Sequence, residues 1–296
     1  MNVTVIGIGK MGKAMAERII QQGHNVTVYN RTPGRATNLT DLGARAAHSI
    51  ASAVTNADIV VSSLFDDDAL RDVCLSEQGL IASLPDQAVH VSTATILPAT
   101  AKAVSKAHAD AGKQYVSAAV LGIPDVAREG KMLSFCAGTE TATMAVKPVL
   151  STFCEEVQYL GSNPQAPLVM KVGLNYALIT SLELISELYV FFEKSDVDPA
   201  LIQDGLHRIY AHPGYKRYID KIKNRDFDHV NFDMRGGLKD VSVFQKAFNQ
   251  AGVAPELANL VASRFISALS NQMENKDWSG IYEVIRQEAG LPAKYK

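Results

Sequence analysis

Two stretches of the chain hold residue types whose spacing does chemistry. In the nearly uncharged run LVMKVGLNYALITSLELISELYVFF, residues 168–192, Lys171 and Asn175 stand four apart. On a helix such a pair projects from one face, here toward an expected cleft between the two halves of the chain. A lysine held away from water has a lowered pKa and can give or take a proton near neutral pH. An amide beside it can hold a substrate oxygen in line with the ammonium. The competing explanation is structural: Lys171 snorkels to water from the first turns of the helix, while Asn175 satisfies a backbone group.

The second stretch is Gly7-Ile8-Gly9-Lys10-Met11-Gly12, a GxGxxG that follows the apolar run NVTVI and opens an amphipathic segment ending near Gln22 and Gly23. Placed between a strand and a helix, this spacing fits a dinucleotide site. Gly7 permits the tight turn, Gly9 lets backbone approach a pyrophosphate, and Gly12 lets helix and strand pack closely, with the helix N-terminus facing the anion. An NAD site usually ends its second strand with a carboxylate for the ribose 2′-hydroxyl. Here the strand ends VYNRT, with Asn30, Arg31 and Thr32. Arg31 would clamp the 2′-phosphate of NADP, which a carboxylate would repel. Arg35 offers a second cation or is solvated surface.

Elements must place these residues. NVTVIG, NVTVYN, ADIVVSSL, AVHVST, QYVSAAV and MLSFCAG alternate with helical stretches such as 96–110 and 139–152. That rhythm predicts a parallel, doubly wound α/β sheet of Rossmann type with helices on both faces. Ser162 or Asn163 can cap a helix whose first turn takes Pro164 or Pro167. A boundary near residue 163 follows, with a Rossmann domain over 1–163 and an all-α domain over 164–296. The second domain begins with a long buried interdomain helix, about 164–193 and ~45 Å long at 1.5 Å per residue. Glu183 and Glu187, four apart on this helix, read as a solvated edge or as partners of cations.

Composition narrows the functions. The chain has 296 residues, 47% of them hydrophobic, with 29 basic and 31 acidic side chains and no basic run. Nucleic acid and anionic membrane surfaces are not implied partners. The long helix is long enough to cross a bilayer, but Lys171, Asn175, Glu183 and Glu187 interrupt it. Cys74, Cys136 and Cys154 are an odd number without a CxxC, so they read as buried thiols in a reducing compartment. The N-terminus has no basic region ahead of its apolar residues, and a cytoplasmic protein is expected. No His, Cys or carboxylate cluster appears at ligand spacing, which predicts no metal. His207 and His212 read as surface or packing residues.

With the glycine turn, the Lys171/Asn175 helix and the later Lys239-Asp240 in hand, the whole chain resembles the β-hydroxyacid dehydrogenase family. That family includes 3-hydroxyisobutyrate dehydrogenase and glyoxylate and semialdehyde reductases, is related to 6-phosphogluconate dehydrogenase, and has imine reductases as a sister group. The resemblance implies hydride transfer between a nicotinamide cofactor, NADP by the reading of Arg31, and a small carbonyl/alcohol substrate, with Lys171 as acid/base and Asn175 beside it. It also places Leu64, Phe65, Thr93 and Lys239 at the cofactor, and Thr95, Leu121, Gly122, Ile123 and Asp240 at the substrate. For Thr93 a capping hydroxyl, and for Lys239-Asp240 an ordinary helix start, are the competing explanations.

The substrate loop departs from the family pattern D-x-P-x-S-G-G-x-x-x-A-x-x-G. Here it carries Ser117, Ala119, Leu121, Gly122, Ile123, Ala127 and Gly130, so Leu121 replaces a carboxylate-holding serine. The family's glycine-rich turn before the lysine keeps only Gly161, with prolines instead. Imine reduction is therefore the nearest rival activity, and a non-catalytic NADP-binding sensor is the alternative of another class. A homodimer or higher homo-oligomer is expected from the apolar helix.

Overall fold

The computed structural model describes residues 1–32, 34–35, 37–194, 196–252, 254–292 and 294–295, and all their side chains except those of Thr37, Glu187 and Phe191. The chain forms two compact units, Met1–Lys171 and Val172–Lys296.

The first unit is built on one sheet of eight described strands: β1 Asn2–Ile6, β2 Asn25–Tyr29, β3 Arg45–Ala46, β4 Ile59–Ser62, β5 Val89–Ser92, β6 Gln114–Leu121, β7 Met132–Ala137 and β8 Cys154–Tyr159. Their order is β3-β2-β1-β4-β5-β6-β7-β8. Neighbours from β3 to β6 run parallel, as the alternation of strands and helices predicts. The pair β6/β7 is antiparallel, which corrects the expectation of a wholly parallel sheet. Only residues 122–131 join these two strands, and a parallel crossover needs a dozen or more. The helix Glu140–Phe153 then supplies the crossover that lets β8 join β7 in parallel.

The two faces of this sheet are packed differently. On one, Val3, Val5, Ile59, Val61, Val89, Val91, Val116 and Ala118 meet Ala14, Met15 and Ile19 of the helix Lys10–Gln21, together with Leu150 and Phe153. On the other, Ile6, Val60, Tyr115 and Ala119 meet Leu70 and Cys74 of the helix Asp67–Leu75 and Ala101 and Val104 of the helix Pro98–Asp110. The polar side chains Thr4, Ser62, His90, Ser92 and Ser117 are buried as well, and strand alternation puts them on this second face. The three cysteines are free and buried.

The helix Ala166–Lys194 passes from the first unit into the second. Asn163 Oδ1 accepts from the Gln165 N–H at 3.1 Å ahead of it, and Pro167 sits in its first turn, where a missing N–H is harmless. The boundary expected near residue 163 precedes this helix, whereas the compact units divide inside it. The helix is not buried on all sides, contrary to expectation: Leu168, Val172, Ile179, Leu182 and Ile185 are buried, while Val169, Met170, Leu174 and Leu184 are exposed.

In the second unit the described elements are helical: Pro199–Ile209, Pro213–Asn224, Met234–Gln250, Glu256–Ser270 and Ile281–Glu288 follow the long helix. Ile185, Tyr189, Ile202, Leu206, Ile219, Ile222 and Phe227 form a core. Glu183 lies in no solvated edge; it is buried and takes the Arg264 Nε–H at 2.6 Å. The Glu187 side chain lies outside the described ones. His212 caps the helix Pro213–Asn224 by accepting from the Gly214 N–H.

Candidate active site

Strand β1 leads into the glycine turn. Gly7 has φ +91°, and its N–H donates to the Tyr29 carbonyl at 2.9 Å. A Cβ on Gly7 would lie 2.3 Å from the Ser63 carbonyl oxygen, and one on Gly12 only 1.9 Å from the Gly7 carbonyl oxygen. Packing within the chain therefore demands both glycines. Gly9 is different. It is the N-cap of the helix Lys10–Gln21, without a side-chain cap, and a Cβ there would meet nothing within 4 Å. The chain leaves open space over uncapped helix N–H groups, which is the cradle an anionic pyrophosphate fits. Lys10 is exposed and Met11 half-buried.

At the end of β2, Asn30 does something its position in the sequence did not reveal. Its Oδ1 accepts from the Ile8 N–H at 2.9 Å and its Nδ2 donates to the Thr32 carbonyl at 2.9 Å. Asn30 thus clips the glycine turn to the β2 turn. An amide two residues before the carbonyl it bonds was the available signal. Arg31 and Thr32 are exposed, and no carboxylate pairs with Arg31 among the described residues.

The ends of β4, β5 and β6 carry the remaining candidates of this unit. Leu64 is half-buried and Phe65 is 59% exposed. The Thr93 N–H and hydroxyl both donate to the Ser62 carbonyl, at 2.9 and 3.0 Å, so the hydroxyl fastens β5 to β4 and keeps its lone pairs available. Thr95 is half-buried. Leu121 ends β6 opposite Leu133. Gly122 follows with φ +146°, and a Cβ there would crowd the Met132 side chain at 2.8 Å. Ile123 precedes the short helix Pro124–Arg128. Ser117 and Ala119, counted with this loop on the family pattern, are core residues of β6, each about fully buried.

These turns all lie at the carboxyl ends of parallel strands, on either side of the β1/β4 junction where strand order reverses, the place where open α/β sheets bind ligands. Lys171 and Asn175 stand one turn apart on the helix Ala166–Lys194; Lys171 is 8% exposed and Asn175 half-buried. In the second unit Lys239 Nζ pairs with Asp240 Oδ1 at 2.8 Å. The pair is not at a helix start. The helix Met234–Gln250 is capped by Asp233, whose carboxylate accepts from the Gly236 N–H. Gly236 and Gly237 belong to the helix because a Cβ on either would strike the rings of Phe232 or Phe265.

Residues 2–161 match the NAD binding domain of 6-phosphogluconate dehydrogenase. An uncharacterized oxidoreductase of Bacillus subtilis (strain 168), YfjR, is 30% identical over 286 residues, 97% of this chain and 100% of the relative. A 3-sulfolactaldehyde reductase of Escherichia coli (strain K12) is 26% identical over 99% of each chain. The solved 3-hydroxyisobutyrate dehydrogenase of Mycobacterium tuberculosis with L-serine shares the fold, with a TM-score of 0.84 at 21% identity over 96% of this chain and 99% of that one. With its glycine turn, its switch-point loops and these relatives, the chain belongs to the β-hydroxyacid dehydrogenase family and is an NAD-binding oxidoreductase.

Proposed function

We propose that this protein is an NADP(H)-dependent reductase that moves hydride between the nicotinamide and a small carbonyl/alcohol couple, with Lys171 as the acid/base. The observation that carries this reading is Lys171 itself, an ammonium only 8% exposed, one helical turn from the Asn175 amide. Snorkelling to open water does not account for a lysine so buried. The bound cofactor supplies or accepts the hydride. The helix N-terminus at Gly9 faces its pyrophosphate, and Arg31 takes the 2′-phosphate that a carboxylate would repel. One charge-assisted contact from Arg31 is worth about 1.5 to 3 kcal/mol, or roughly 10- to 150-fold in affinity.

In the reducing direction Lys171 Nζ gives a proton to the oxygen that gains negative charge, and Asn175 holds that oxygen in line. In the oxidising direction Lys171 takes the proton back. Leu121 offers no hydroxyl to a substrate carboxylate. Leaving a carboxylate short of a hydrogen bond costs about 1 to 3 kcal/mol, so less polar carbonyls are favoured over small keto acids. The same substitution supports imine reduction as the second reading. The 3-sulfolactaldehyde reductase is named for an anionic aldehyde, and an anion accepted here would have to find donors other than residue 121.

The test is oxidation of NADPH and of NADH over a panel of aldehydes, keto acids and cyclic imines, by the wild type and by Lys171→Ala. We expect NADPH to be preferred about tenfold or more, and Lys171→Ala to lower kcat by about 10² to 10⁴ with cofactor affinity nearly unchanged. Equal use of the two cofactors would remove the role of Arg31, and undiminished turnover that of Lys171. Tight NADPH binding with no oxidation on any substrate would make the protein a cofactor-binding sensor.

A further inference from the structure

Between the second face of the sheet and the helices Asp67–Leu75 and Pro98–Asp110 lies a polar cluster that the proposed reaction does not use. Cys74 comes from the helix Asp67–Leu75, His90 from β5 and His108 from the helix Pro98–Asp110. One potential ligand atom from each falls within 4.8 Å of the other two, and the three residues are 0 to 1% exposed. Because they arrive from three separate elements, no local spacing announces them.

The hydrogen bonds around the cluster fix where its protons sit. His108 Nδ1 is 2.8 Å from the Val104 carbonyl, which only accepts, so Nδ1 carries the proton and Nε2 of the neutral ring is a lone pair. That lone pair faces His90 Nδ1 at 3.0 Å, so His90 Nδ1–H donates and His90 Nε2 is left to accept from the Ser62 hydroxyl at 2.8 Å. Burial lowers the pKa of both imidazoles, consistent with neutral rings. A carbonyl holding the far nitrogen of one imidazole and a hydroxyl holding that of the other is the outer support that metal-bound histidines carry.

We propose that Cys74 Sγ, His90 Nδ1 and His108 Nε2 form a three-coordinate site for one soft monovalent cation, Cu(I) being the natural occupant. Charge selects the ion. With the thiolate of Cys74, a monovalent cation gives a neutral centre, whereas a divalent one leaves a buried positive charge with no carboxylate or second thiolate among the described residues of the cluster to offset it. Thiolate and imidazole together suit Cu(I). Bonds of about 2.0 to 2.1 Å to nitrogen and about 2.3 Å to sulfur place trigonal donors about 3.5 to 3.8 Å apart. The two nitrogens must therefore open slightly from 3.0 Å, and the sulfur must stand within the same span of both. Tyr115, whose ring packs on both imidazoles at 5.3 and 5.0 Å, closes the cluster to water.

Binding balances simply. The cation displaces the Cys74 thiol proton, which leaves to solvent. The His90 proton moves from Nδ1 to Nε2, from which it now donates to Ser62 Oγ, and the Ser62 hydroxyl turns its own proton away from the ring. No electron is transferred. The three ligands are 0 to 1% exposed, so loading takes place as the chain folds rather than through the closed core.

The test folds the full chain anaerobically with Cu(I) and then challenges it with bathocuproine disulfonate. The wild type should retain one Cu(I) per chain, and the ¹⁵N signals of His90 Nδ1 and His108 Nε2 should move. Cys74→Ser should hold it about 100-fold more weakly or worse, the upper range for loss of even an outer partner, whereas Cys136→Ser and Cys154→Ser should retain it. Failure of the wild type to hold Cu(I), equal retention by Cys74→Ser, or retention with both imidazoles unmoved would each overturn the site. Should Cys74→Ser not fold, the wild-type imidazole signals decide alone.

Discussion

The two faces of the sheet in the first unit are equally dry, yet one is filled mainly with valine, isoleucine, leucine and phenylalanine, with Ser134 among them, and the other takes in Ser62, His90, Ser92, Ser117 and His108. Dryness alone does not dictate an apolar core. A buried polar group is tolerated where each donor meets an acceptor, as in the run from Ser62 through His90 and His108 to the Val104 carbonyl. Thr4 follows the same rule on this face, donating to the Ala53 carbonyl at 2.7 Å. The apolar face can lose a methyl and merely lose packing. The polar face can lose one member and leave its neighbour without a partner.

The largest expected effect follows from that asymmetry. In metal-free protein, His108→Ala removes a fully buried ring and strands the His90 Nδ1–H. Cavity and orphaned donor together should cost about 3 to 5 kcal/mol, read as a shift of the urea midpoint at constant slope. Replacing the whole run by apolar residues of similar size, Ser62→Ala with His90→Leu and His108→Leu, should cost less than His108→Ala alone, because no partner is left unpaired. A triple variant weaker than the single one would show that the run contributes more than mutual satisfaction.

Acid distinguishes the faces next. Burial lowers the His108 pKa below its ordinary 6.5 and that of His90 well below it, the neighbouring His108 adding to the second effect. The unfolded chain then binds more protons than the folded one in the window beneath about 6.5, so stability is complete above that value and is lost as pH falls through it toward the folded values. Cys74 and Tyr115, the other titratable groups of the cluster, are both raised by burial and stay neutral throughout. Half-buried His24 is lowered too, first by burial, so the comparison is with the triple variant, whose midpoints at pH 7.5 and pH 5 should differ less than those of the wild type. An equal drop in both would place the acid sensitivity elsewhere.

Much of this was legible in the sequence where the signal is local. The GxGxxG between a strand and a helix located the turn in which packing demands Gly7 and Gly12 and leaves Gly9 open. Short β-rich runs located β1, β2 and β4 to β7, and a 29-residue helix stood where the apolar run lay. What was hidden depends on contacts distant in the chain. The reversal at β7 is set by the length of a connection, the two-residue β3 by its partner β2, and Gly236 and Gly237 by aromatic rings that only folding brings near. The cysteine and two histidines are 34 residues apart from first to last, and nothing at positions 74, 90 and 108 predicts that they meet.

The smallest effect tests whether the two faces are independent. Ile19 is fully buried on the apolar face and makes no hydrogen bond through its side chain, so Ile19→Val removes one methylene's worth of packing and should cost about 0.5 to 1.5 kcal/mol. Nothing that titrates is uncovered, so the loss should be the same at pH 7.5 and pH 5. The sheet lies between Ile19 and His108, and sites without shared partners add within about 0.3 to 0.5 kcal/mol. The double variant Ile19→Val with His108→Ala should therefore equal the sum of the two single losses. A larger discrepancy would mean that the strands transmit the loss of one layer to the other, and the faces would then have to be treated as a single core.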